Sequence, residues 1–208
     1  MKRKSKSKNS ILTIVVFIVI GIILFGYLGY RVYNDFFKDN TVHKQIDSIE
    51  LYEYTLSEND TNIFKTYFKE LTTVLNEKPI NNVEYAKTIS KLFIIDLYTL
   101  NNKLGSTDIG GLEFLHKDLR DNFKENMGAS LYKFVENNLN NDRKQELPIV
   151  KDVTIEDVSE SKWKYKDTEY PAYVVTAKWT YEKDLGYQSS MKLTIINDND
   201  ILYIVKGE

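Results

Sequence analysis

The apolar and polar positions of this chain fall into three successive regimes. Residues 11–30 form an uncharged run in which fourteen of twenty side chains are Ile, Leu, Val or Phe. From about residue 62 to 135, apolar residues recur at steps of three and four, and from Ile149 onward they alternate. The first regime predicts a membrane-spanning helix, because twenty residues rising about 1.5 Å each cover the ~30 Å hydrocarbon layer. A buried core helix seldom stays apolar on every face for so long. The second regime predicts amphipathic helices and the third an antiparallel sheet.

Within the helical regime, Ile63, Phe64, Tyr67, Phe68, Leu71, Val74 and Leu75 share one face of a first helix. Polar residues from Ser57 to Thr61 offer its cap, and Pro79 ends it. Asn81 or Asn82 caps a second helix carrying Val83, Tyr85, Ala86, Ile89, Leu92, Phe93, Leu97 and Leu100. Ile94 and Ile95 make that helix apolar nearly all round, so it is the expected central helix of the domain. Asn101–Gly111 contains three glycines and reads as a surface loop, with a ligand-closing lid as the alternative. A third helix is expected from Leu112 through Val135, with a break at Gly128. Ser48–Leu56 reads as a short strand ahead of the helices.

The alternating regime divides into strands at Ile149–Val158, Trp163–Tyr165, Tyr173–Tyr181, Met191–Ile195 and Ile201–Val205. Asp184-Leu185-Gly186 and Asp198-Asn199-Asp200 supply hairpin-type turns. Helices followed by consecutive antiparallel strands define an α+β domain with helices packed on one face of the sheet.

Charge assigns sides to this plan. Six of the 28 basic residues and none of the 30 acidic ones lie in residues 1–31, leaving 22 against 30 and a net charge of −8 for residues 32–208. The positive-inside bias keeps the basic head in the cytoplasm and exports the acidic remainder. The expected organisation is a basic tail at 1–10, a transmembrane helix at 11–30, a juxtamembrane stalk at 31–47 and an exported domain at 48–208. Tyr27, Tyr30 and Tyr33 fall where an outer aromatic belt would lie. A cleaved signal peptide is the competing reading, but the run is longer than a signal core and leads into Tyr30-Arg31-Val32-Tyr33 without small residues. An acidic domain repels phosphate backbones, which argues against nucleic-acid binding by it.

Residue inventory limits the chemistry. With no cysteine and only His43 and His116, thiolate sites and multi-histidine metal centres are excluded, and no metal or other cofactor is expected. Neither GxSxG, GxGxxG nor a P-loop occurs. Two residues interrupt the apolar stripes: Asp96 falls on the inner stripe of the second helix and His116 on that of the third. If the two stripes face each other, Asp96 and His116 meet inside the domain as a ligand-binding or acid/base pair. The commoner role for such residues is a hydrogen-bonded core group. Asp198, Asn199 and Asp200 offer oxygens to Ca²⁺ but lack the further ligands of a calcium loop, so a plain turn is expected. Among the aromatic residues of the sheet, Trp163, Tyr165 and Tyr187 are candidate protein-contact anchors.

The order of anchor, helices and meandering sheet resembles the cone-shaped nuclear-transport-factor-two-like fold shared with ketosteroid isomerase. The basic tail, single span and helix-first domain look like the bitopic scaffold subunit of type IV secretion and conjugation systems. The runs KLFIIDLYTLNNK (Lys91–Lys103), DIGGLEFLHKD (Asp108–Asp118) and KWTYEKDLGYQ (Lys178–Gln188) are similar to stretches of uncharacterised membrane-anchored proteins of Gram-positive bacteria. The resemblance implies a non-enzymatic, single-pass envelope protein whose exported domain contacts other envelope proteins or itself. The alternative is a module that binds a small ligand or peptide between helices and sheet.

Overall fold

The computed structural model describes residue 19, residues 21–29 and residues 43–208. The expected tail at 1–10, most of the stalk, and Tyr30 and Tyr33 lie outside the described residues, as does much of the 11–30 run. Residues 21–29 are helical, and their large apolar side chains, including Phe25 and Leu28, are exposed. Among the described residues no helix is long and apolar enough to cross a membrane.

His43–Glu208 forms one compact unit, which takes in the last residues of the expected stalk. It opens with an antiparallel hairpin of β1 (Gln45–Ile49) and β2 (Tyr54–Ser57), joined by a 3-10 turn over Glu50–Tyr52. The single strand expected over Ser48–Leu56 is therefore two, reversed where Glu53 adopts a left-handed conformation.

Helix α1 (Asn62–Asn76) starts where the Thr61 side chain accepts from the Phe64 amide at 3.4 Å. It buries Phe64, Phe68, Leu71 and Val74. Helix α2 (Asn82–Tyr98) is capped by Asn81, whose side chain accepts from the Glu84 amide at 3.2 Å. Each cap satisfies an amide that the first helical turn leaves without an internal partner. Leu92, Phe93, Ile94 and Ile95 are all buried, as expected of a central helix.

The third helix is much shorter than its apolar stripe predicts. Helix α3 spans Arg120–Ala129, preceded by 3-10 turns at Leu112–Phe114 and Lys117–Leu119. Gly111 is left-handed and Leu115 extended, so the helical period cannot run through His116. Leu115 instead forms a parallel bridge with Ile204. Gly128 lies inside α3, and the chain leaves the helical conformation at Ser130.

The sheet is an antiparallel meander of β3 (Val150–Tyr165), β4 (Thr168–Tyr181), β5 (Ser190–Asp198) and β6 (Ile201–Gly207). The two strands expected over 149–165 are one, because the exposed polar residues 159–162 stay paired with residues 171–174 of β4. Asn199 and Asp200 both have positive φ in the tight β5–β6 turn. The backbone thus follows the α+β plan with antiparallel sheets.

Three tyrosines tie the layers together through buried hydroxyls. Tyr54 and Tyr85 are 2.7 Å apart at their oxygens, and Tyr54 donates to the Leu202 carbonyl at 3.3 Å. Tyr132 donates to the Leu97 carbonyl at 2.8 Å. These bonds let large rings fill the interior without leaving a polar tip unpaired. Burial pushes both the Tyr54 and Tyr85 hydroxyls well above their ordinary titration range.

Candidate functional site

Asn101–Gly111 is not a plain surface connection. Lys103, Ile109, Gly110 and Gly111 are buried, and a side chain at Gly110 would collide with the backbone of Asp96. This close approach lets the loop fold back over α2. Arg143 fastens it from outside, donating to the carbonyls of Asn101 at 2.6 Å and Lys103 at 2.9 Å.

Beneath the loop lies a polar cavity of ≈110 Å³, bordered by β2, the chain entering α1, Asp96 and Glu113. Asp96 pairs with Lys103 and accepts from the Gly111 amide at 2.5 Å. Lys103 is only 5% exposed, and burial alone would lower its pKa. The attraction of Asp96, together with Tyr132 and Asp108, more than offsets that penalty and holds the ammonium charged.

A second pair joins His43 to Asp108, Nε2 to Oδ2 at 2.7 Å. The hydrogen bond that His43 donates to Asp108 raises the imidazole pKa despite partial burial. Burial works to raise Asp108, but His43, Lys103 and the Leu104 amide together leave it lowered. Asp60 and Glu113 have no such cation partner among the described residues. Burial raises Asp60, with the Ser57 amide opposing, and pushes Glu113 up to about 8.

Glu113 is half-buried as a residue, yet its carboxyl end is enclosed. Thr55 donates to Oε2 through its amide at 3.0 Å and its hydroxyl at 2.8 Å. Oε1 is buried and has no donor among the described residues, and Asn102 Oδ1 is in the same condition. Both residues line the cavity. Among the described residues no group of three or more His, Asp or Glu side chains is placed to hold a metal ion.

A different hollow, of ≈390 Å³, opens between α2, α3 and the β5–β6 edge. Phe93, Leu97, Phe123, Met127, Met191 and Ile204 give it an apolar lining. It borders β6, the last strand of the sheet order. On that edge the His116 amide donates to the Ile204 carbonyl at 3.2 Å beside the Leu115 bridge.

Asp96 and His116 are not brought together as a pair. Asp96 lines the polar cavity, whereas His116 packs on the rings of Tyr165 and Tyr203 at 4.9 and 5.5 Å between centroids. The reset of the helical period at Gly111 explains the separation. Trp163, Tyr165 and Tyr187 are half-buried. Lys206 covers part of Trp163, Tyr165 contacts His116, and Tyr187 lies 6.3 Å from Tyr181. The most exposed large apolar side chains of the folded unit are instead Leu51 and Phe134, at 77% and 75%.

Sequence reasoning missed Lys103, Asp108 and Glu113. The available signal was charge inside a glycine-rich loop and a lone acid within the apolar run Leu112–Leu115. No family model, curated protein or solved structure matches this chain.

Proposed function

We propose that this chain is a non-enzymatic, membrane-anchored envelope protein whose exported domain seats an apolar peptide segment of another envelope protein. The observation that carries this reading is the ≈390 Å³ apolar hollow beside the β6 edge. An extended segment there gains main-chain hydrogen bonds from the β6 edge past the Leu115 bridge at Ile204, and burial from alternate side chains, the two components of strand addition. The uncharged 11–30 run and its basic head support a cytoplasmic N-terminus and an extracytoplasmic domain. The resemblance in organisation supports a scaffold role in secretion or conjugation.

The test uses the full chain in its native membrane with a photo-crosslinking residue at Asn122, which lines the hollow. A discrete adduct that disappears with Met127→Glu is expected. An adduct pattern identical to that from Asp167, at the β3–β4 turn, would contradict the reading.

A further inference from the structure

The polar cavity holds more acids than cations, four against two. Its walls hold two internal ion pairs, Lys103 with Asp96 and His43 with Asp108. Two further acids, Asp60 and Glu113, remain without a cation partner among the described residues. The two buried orphan atoms are Glu113 Oε1 and Asn102 Oδ1, and once Glu113 is ionised both can only accept. What would complete the cavity is therefore a positive charge that also carries N–H donors.

We propose that this cavity binds a primary ammonium group, with its charge on Glu113 and its donors shared between Glu113 Oε1 and Asn102 Oδ1. The ≈110 Å³ volume suits the end of an alkylamine. Because no metal-ligating group of acids is present among the described residues, an amine fits better than a bare divalent ion. The site is separate from the apolar hollow and does not depend on its proposed use.

Charge linkage follows from the surroundings. Glu113 faces Thr55 and Tyr54 from β2, Asp60 from the α1 entry and Asp96 from α2; Lys103, His43 and Asp108 complete the charged lining. Burial favours the neutral acid when no cation is present, so amine binding must release its proton. Affinity should then rise about tenfold per pH unit below about 8 and level off above it.

The test is calorimetric titration of the detergent-purified full chain with propylammonium, against tetramethylammonium, which has the charge without donors. Saturable binding of propylammonium alone is expected, at least tenfold tighter at about pH 8.5 than at about pH 6.5. Buffers of different ionisation heat should reveal proton release at the lower pH. Glu113→Gln should weaken binding at least tenfold and abolish that release, while its thermal midpoint at neutral pH stays no lower. Putrescine and a capped lysine peptide distinguish a free polyamine from a protein lysine as the source, and tighter binding of either supports the amine chemistry. Equal responses to propylammonium and tetramethylammonium in the wild type would overturn the proposal, as would unchanged binding in a folded Glu113→Gln variant.

Discussion

Helix α2 borders two hollows of opposite chemistry. On one, Asp96 joins a closed set of charges in which two ion pairs leave the enclosed Glu113 carboxyl unmatched. On the other, Phe93 and Leu97 form the buried floor of an apolar hollow rimmed by half-buried Phe123, Met127 and Met191. The polar hollow is electrostatically determined, so single changes there should have large consequences. The apolar hollow is only partly packed, so changes should alter what it meets more than how firmly the domain folds.

The largest expected effect comes from breaking the buried pair. Lys103→Met should cost about 3–5 kcal/mol in urea unfolding by stranding the Asp96 carboxylate. The double variant Asp96→Leu with Lys103→Met should recover most of that loss. A cost under about 1 kcal/mol for the single variant would show that the polar hollow is not electrostatically determined.

Next comes pH. The folded-state pKa of Glu113 lies above its unfolded value, so its contribution is fully present below the unfolded pKa and is lost as pH rises toward about 8. Across that window stability should fall by about 1.4 kcal/mol per pH unit from this group alone. Glu113→Gln should remove the slope, which denaturation curves at several pH values will read.

In the apolar hollow, Met127→Glu should change stability by no more than about 1 kcal/mol while abolishing the crosslink from Asn122. Smaller still, Phe134→Ser should remain within about 0.5 kcal/mol of the parent, because its ring is already exposed. A larger loss in thermal unfolding would mean that the ring supports the fold.

The contrast also explains what is legible in the sequence. Helices α1 and α2 are readable because each repeats a single periodic demand, one apolar face against one core, and their caps sit at Thr61 and Asn81. The hairpin turn at Asn199-Asp200 is readable from local chemistry. The site is not, because Thr55, Asp60, Asp96, Asn102 and Glu113 come from separate segments and only the fold brings them to one cavity. Asp96 stands out as a polar interruption, but pairing it with His116 requires an uninterrupted third helix. Left-handed Gly111 and extended Leu115 remove that condition within a few residues.

Whether the polar hollow lacks a cation at Glu113 is read most directly at that carboxyl itself. Carbon NMR of the full chain labelled at the glutamate side-chain carboxyl, assigned with Glu113→Gln, would follow its titration with and without propylammonium. A midpoint near 8 that drops clearly when the amine is added is expected. A midpoint in the ordinary glutamate range that ignores the amine would contradict the proposal.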